Sequence, residues 1–202
     1  MNKVITIARQ FGSGGRELAR YLAEELSFDY YDKEIIKELS KRTSLSENYI
    51  DGISEERPTA SFALSFARSF YTYEDPNMSI QQSIFEEQVK LLKEFAEKSS
   101  CVIVGRSADY LLSDYKPIRI FVYADMDSRI KRCMARKRPE EVDMDERAME
   151  KQINKIDKTR AKFYEFNSGN KWGEAENYDL CINTSGRDLK DLAKKIAKFF
   201  ID

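Results

Sequence analysis

Val4-Ile5-Thr6-Ile7-Ala8-Arg9-Gln10-Phe11-Gly12-Ser13-Gly14-Gly15-Arg16-Glu17 is the stretch on which the reading of this chain turns. Val4 to Ile7 are all β-branched and form a short continuous run, the pattern of a strand buried on both faces. The run gives way to Gly12, Gly14 and Gly15, and beyond them Leu18, Leu22 and Leu26 keep i, i+4 spacing with Ala19 and Ala23 beside them. That spacing is one face of a helix. The unit is therefore strand, glycine loop, helix. In an open parallel sheet such a loop lies beyond the carboxyl end of its strand, where backbone N–H groups can point at an anion.

Working outward, Phe28–Tyr31, Cys101–Val104, Ile118–Ala124 and Tyr178–Asn183 are further strand candidates. Helical periodicity runs over Glu34–Arg42, from Ser79 to about Lys98, from about Asp145 to Tyr164, and over Asp188–Phe200. Ser79 with Gln82 has the form of a capping box, and Ile80, Ile84, Gln88, Leu91, Leu92 and Phe95 trace one stripe. Asp127 is placed to cap a helix carrying Ile130, Cys133 and Met134. Strands alternating with helices predict an α/β fold with a parallel sheet and right-handed crossovers. Residues 43–78 are less regular, punctuated by Gly52, Pro58 and Pro76 and rich in aromatics at Phe62, Phe66, Phe70, Tyr71 and Tyr73. They predict an inserted helical subdomain with its own apolar cluster.

Composition limits the chemistry. The 202 residues carry 34 basic and 35 acidic side chains, so no overall basic field points to nucleic acid or to a membrane. There is no histidine. Imidazole bases, Ser-His-Asp and Cys-His nucleophile pairs and imidazole metal sites are excluded with it. Cys101, Cys133 and Cys181 show no C-x-x-C pairing and read as reduced thiols. Val4 to Ala8 is too short an apolar stretch for a signal or a span, so a cytoplasmic location is expected.

The glycine loop fits two phosphate-binding patterns imperfectly. In G-x-x-x-x-G-K-[ST], Gly14 as the second glycine puts Arg9 at the first, Gly15 where the lysine belongs and Arg16 after it. In G-x-G-x-x-G, Gly12 and Gly14 fit, but Glu17 stands at the third glycine, and Asp32 lies where a ribose-binding acid is expected. Further on, Arg129, Lys131, Arg132, Arg136, Lys137 and Arg138 crowd one segment without an acid among them. They form either a solvated helix face or a cover that places guanidinium groups around phosphate. Asp157 and Arg160, three residues apart on the next helix, either act together on a ligand or pair with each other. Trp172, between Lys171 and Gly173, either stacks a base or packs on that helix.

Val4 to Ala19, Phe28 to Lys33, Val104 to Tyr110, Asp157 to Arg160 and Asn177 to Thr184, taken in order, resemble the cytidylate kinase-like family, a branch of the P-loop nucleoside monophosphate kinases. The resemblance implies one kinase-like domain with a P-loop NTPase-type three-layer α/β sandwich. Its core would be residues 1–32, 99–135 and 161–202, with a helical nucleoside monophosphate-binding insert at about 33–98 and a lid at about 136–160. It implies that Gly12, Ser13, Gly14, Gly15 and Arg16 cradle the donor phosphates, with Arg132, Asn183 and Thr184 near the donor nucleotide. Asp32, Arg106, Asp157 and Arg160 fall at the acceptor nucleotide, with Arg106 and Arg160 on phosphate.

The activity implied is transfer of the γ-phosphate of ATP, with Mg2+, to CMP or dCMP. Nucleotides would be the partners, and neither nucleic acid nor membrane is expected. No side-chain metal site is expected. Mg2+ would be held mainly by phosphates and water; Glu17, a donor-site candidate where the hydroxyl would be, reads chiefly as a first-turn helix residue. The chain, like the branch it resembles, departs from true cytidylate kinases in lacking the P-loop lysine and the hydroxyl after it. Arg9 and Arg16 are the candidates for the missing charge, and Arg16, which adjoins the loop, is preferred. A nucleotide-binding sensor that kept the fold and lost turnover with the lysine is the alternative. A dinucleotide-binding redox protein is disfavoured by Glu17 and by the absence of a Tyr-x-x-x-Lys pair.

Overall fold

The computed structural model describes residues 2–50, 76–137, 141 and 143–201. Its strands are β1 (Val4–Arg9), β2 (Asp29–Tyr31), β3 (Cys101–Val104), β4 (Ile118–Tyr123) and β5 (Leu180–Asn183). Its helices are α1 (Gly15–Leu26), α2 (Lys33–Thr43), α3 (Pro76–Lys98), α4 (Ala108–Leu111), α5 (Met126–Ala135), α6 (Glu146–Ser168) and α7 (Leu189–Ile201). The strands form a single parallel sheet in the order β2-β3-β1-β4-β5. Ile7 lies beside Val104 on one side and beside Ile120 on the other.

Each strand of the sheet's centre divides its side chains between two layers, because successive residues point to opposite faces. Val4, Cys101 and Ile103 turn to one face, where Ile35 and Leu39 of α2 and Leu91 and Leu92 of α3 cover them. Ile5, Ile7, Val102, Val104, Ile120 and Val122 turn to the other, under Leu18 and Leu22 of α1 and Ala193 and Ile196 of α7. The result is the three-layer α/β sandwich. Two apolar faces explain why the strands read as continuous rather than alternating runs. The chain leaves β3 and crosses β1 to reach β4. The direction of winding reverses there, and a crevice opens at the carboxyl end of β1.

Several expected boundaries move. The third helix begins at Pro76, three residues before the expected capping box, and proline is well suited to a first helical turn. Ile80 is consequently 36% exposed rather than part of the buried stripe, which runs through Ile84, Gln88, Leu91 and Leu92. Asp125, not Asp127, caps α5, accepting the Ser128 N–H at 2.7 Å. Asp145 caps α6 by accepting the Ala148 N–H. Of the expected aromatic insert, residues 51–75, including Phe62, Phe66, Phe70, Tyr71 and Tyr73, lie outside the described residues. No helix among the described residues is long and apolar enough to cross a membrane.

The exposure difference along α3 makes a direct check. Leu91→Ala should cost about 2–5 kcal/mol of unfolding free energy in urea titration, whereas Ile80→Ala should stay within about 0.5 kcal/mol of the parent.

Candidate active site

The glycine loop is folded by its own polar atoms and by two distant segments. Gly12 and Gly14 adopt φ of 76° and 77°, which reverses the chain between β1 and α1. Ser13, fully buried, donates its Oγ hydrogen to the Gln10 carbonyl at 2.8 Å. The Ser13 carbonyl accepts the Thr184 hydroxyl at 2.6 Å and Arg132 Nη1 at 3.3 Å. Because the peptide is planar and trans, fixing that carbonyl turns the Gly14 N–H to the opposite side. α1 then starts, and the N–H groups of Gly15, Arg16 and Glu17 in its first turn have no intrahelical acceptor. Together with the positive end of the helix dipole they are donors of the kind that hold anions at helix N-termini.

A second tie comes from α5 and α6. Arg129, only 4% exposed, donates through Nε to the Phe11 carbonyl at 2.7 Å and through Nη2 to the Asp157 carboxylate. Asp157 Oδ1 in turn accepts the Phe11 N–H at 2.7 Å. Burial pushes the Asp157 carboxyl up, while the Phe11 N–H, Arg129 and Arg160 pull it back. Asp157 therefore braces the loop, with Arg129 rather than Arg160 as its hydrogen-bonded partner. Arg129 was legible only as one member of a basic run, since nothing in the sequence marks which cation of that run turns inward. Arg160 Nη1 donates to the Arg9 carbonyl at 3.2 Å, and its guanidinium stands 5.5 Å from the Phe11 ring centroid.

Around the loop lies a cleft of about 520 Å3, within the range of small-molecule sites. Arg9, Arg16, Lys33, Lys37, Arg132, Arg136 and Arg160 line it, against the carboxylates of Glu17, Glu47 and Glu141 among the described residues. Arg16 is paired with Asp32 at 2.9 Å. Arg132 is spent on structure: besides Ser13 it holds the Thr184 carbonyl at 2.6 Å. Asn183 closes the turn after β5, its Oδ1 accepting the Ser185 N–H.

Glu17 is held by Arg136 at 2.7 and 3.3 Å and by the Tyr21 hydroxyl at 3.1 Å. The hydrogen bond from Arg136 keeps its carboxyl below the usual range. Both its oxygens are thus engaged, and among the described residues no cluster of three metal-ligating side chains occurs.

Beside the cleft, at the carboxyl ends of β1 and β3, is a smaller cavity of about 50 Å3. Arg9 and Arg160 border both spaces. Arg106 lines the smaller one, together with Ser107, Asp109, Tyr164 and Trp172. Gly105, Arg106 and Ser107 carry φ of 76°, 62° and 51° in succession. Two adjacent left-handed residues with side chains cost roughly 1–2 kcal/mol each, and such outliers gather at functional sites. Asp109 is buried, and burial raises its pKa. Ser107 and Asp109 lie in the Val104–Tyr110 stretch that carries the resemblance, which assigns a role there only to Arg106. Trp172 packs edge-on against Phe121 of β4, ring centroids 5.2 Å apart, and lines the smaller cavity with Tyr164 of α6.

A family model described as the cytidylate kinase-like family matches residues 4–186. An uncharacterized protein from Eubacterium ventriosum, known from a crystal structure, is 28% identical with a TM-score of 0.70, over 100% of this chain and 99% of that one. Shikimate kinase from Bacteroides thetaiotaomicron is similar in fold at 16% identity and a TM-score of 0.59, covering 99% of both chains. Shikimate kinase from Acinetobacter baumannii, solved with shikimate, is 17% identical with a TM-score of 0.54, over 100% of this chain and 94% of that one. No curated protein matches the sequence.

The geometry predicts two outcomes. Arg129→Met, which leaves Asp157 buried without its guanidinium, should lower stability by about 3–5 kcal/mol in denaturant titration. The Glu17–Arg136 pair carries a pH signature. The folded pKa of Glu17 lies below its ordinary 4.5, so its contribution is complete above that value and is lost as pH falls through the depressed one. The melting-temperature difference between the parent and Arg136→Met should therefore be constant at neutral pH and vanish in acid.

Proposed function

Since the chain belongs to the cytidylate kinase-like family, we propose that it transfers the γ-phosphate of ATP to a pyrimidine nucleoside monophosphate, CMP or dCMP. The observation that carries this reading is the meeting of an anion-binding loop with three guanidinium groups, Arg9, Arg106 and Arg160, where β1 and β3 end. Backbone N–H groups of Gly12 to Arg16 take the donor phosphates. Arg132 and Thr184 act on them indirectly, by holding the Ser13 carbonyl. Arg106 and Arg160 take the acceptor phosphate, and Asp32, at the end of β2, takes the acceptor's hydroxyl groups after exchanging its bond to Arg16.

In the reaction an acceptor phosphate oxygen forms a bond to the γ-phosphorus. The bond from that phosphorus to the β–γ bridging oxygen breaks, and its electron pair leaves on ADP. The attacking oxygen is already ionised at neutral pH, so no imidazole base is required, and the absence of histidine carries no penalty. Mg2+ supplies neutralisation of the β- and γ-oxygens when bound. The insert at about 33–98 and the lid at about 136–160 are part of the proposal, as is a cytoplasmic location for a chain with three free thiols.

A second reading, a nucleotide sensor without turnover, draws on Gly15 standing where the P-loop lysine belongs. A coupled ADP-release assay with a panel of nucleoside monophosphates separates the two. The kinase reading expects Mg2+-dependent turnover with CMP or dCMP, and a loss of roughly 100-fold in kcat/KM for Arg106→Met. ATP binding without ADP release for any acceptor would leave the sensor.

A further inference from the structure

We infer that Arg9 takes the place of the P-loop lysine, so that the cation meeting the transferring phosphoryl group comes from the strand side of the loop rather than from the helix. The inference rests on the kinase reading and adds to it the residue on which turnover depends.

Gly15, the first residue of α1, stands at the lysine position. A β-carbon built there would lie 2.5 Å from Cβ of Arg9 and 3.1 Å from its Cγ. The first distance is below real contacts and the second is tighter than most, so a side chain at 15 and the observed Arg9 exclude each other. The space a lysine stem would leave is filled by the Arg9 stem. The same side chain then meets a second glycine. A β-carbon on Gly105 would collide with Arg9 Nη1 and come within 3.1 Å of Cζ. Arg9 therefore runs from the end of β1, past the first turn of α1, to the end of β3, with a glycine at each close approach.

The residue type fits this course. Arg9 is 9% exposed. An ammonium so buried loses its charge readily, whereas a guanidinium stays protonated and presents a planar fork matched to phosphate oxygens. Packing between two glycines also removes most of the rotamer freedom that a long side chain would otherwise lose on binding. Arg9 borders both the cleft that contains the loop and the smaller cavity that contains Arg106, so it stands between the two spaces. Arg16, by contrast, has a side chain 44% exposed and lies on the helix side of the loop. No covalent bond to Arg9 is involved. It neutralises charge on the phosphoryl oxygens while the bonds described above exchange.

The test is a transplant in the full chain. Arg9→Met removes the cation, and the pair Arg9→Gly with Gly15→Lys clears the space and restores a lysine on the helix side. Each protein is read by calorimetric titration with MgATP, by kcat with the best acceptor, and by Trp172 fluorescence on melting for folding. Arg9→Met should lose roughly 100-fold in kcat, the size expected for one contact to developing charge, and should bind MgATP more weakly. The double variant should regain at least about tenfold of that loss.

Retention of turnover and affinity by folded Arg9→Met, or the loss following Arg16→Met instead, overturns the inference. If Arg9→Met does not fold, the Arg9 Nε–H resonance of the parent protein decides: it shifts on saturation with MgATP if Arg9 contacts the nucleotide, and an unmoved resonance overturns the proposal. The two readings fail separately. Arg9-dependent MgATP binding with no acceptor phosphorylated sinks the kinase reading alone, whereas CMP phosphorylation that survives Arg9→Met sinks this one alone.

Discussion

The Asp157 carboxylate is the knot of the structure. One oxygen takes the Phe11 N–H, the other the Arg129 guanidinium, and Arg129 returns to the Phe11 carbonyl. Three segments far apart in sequence, the glycine loop, α5 and α6, thereby share one buried hydrogen-bonded set. A buried charge pair is a poor source of net stability, but it is demanding in geometry, because any partner left alone is costly. Both helices that flank the cationic cleft are therefore indexed to the loop. Arg160, one turn after Asp157 on α6, inherits its position at the end of β1 from this bracing.

Charge distribution follows from the same arrangement. A chain that sums to −1 gathers seven cationic side chains around one cleft, where three carboxylates among the described residues oppose them. Two of those cations are partly neutralised by local pairing, Arg16 with Asp32 and Arg136 with Glu17. Exposed pairs of this kind contribute little to stability and exchange partners easily. Arg129 and Arg132 instead hold backbone carbonyls. The basic segment that reads as uniform is thus divided by position on a helix into a brace, a strut and a clasp.

The sheet and its helices were legible because burial on two faces and 3.6-residue periodicity leave a direct imprint on residue type. Cys101–Val104 and the Leu18, Leu22, Leu26 series were placed correctly on that basis. What escaped depends on contacts between distant segments. Asp125 and Asp127 are chemically identical as caps, and the path of the chain leaving β4 chooses between them. The left-handed backbone at Arg106 and Ser107 has no glycine to signal it. Gly15 reads in sequence as a missing lysine, and only the course of the Arg9 side chain shows that a side chain there has no room. In the candidate site, the loop, Arg106 and Arg160 were named from pattern and resemblance, whereas only the fold shows which cation of the basic run, Arg129, turns inward.

The contacts of Ser13 and Gly14 reach the far end of the chain. The Ser13 carbonyl is held by Thr184, and a β-carbon on Gly14 would lie 2.7 Å from Cδ1 of Leu189, the first residue of α7. During synthesis these partners emerge roughly 10–30 s after the loop itself, at ordinary rates of elongation. Until then the Ser13 carbonyl lacks the Thr184 hydroxyl that donates to it, and α1 lacks the helix it packs on most extensively. A nascent chain therefore gathers the contacts of its glycine loop stepwise, from Arg129 and Arg132 to Asp157 and then Thr184, and the loop is fully held only late in translation.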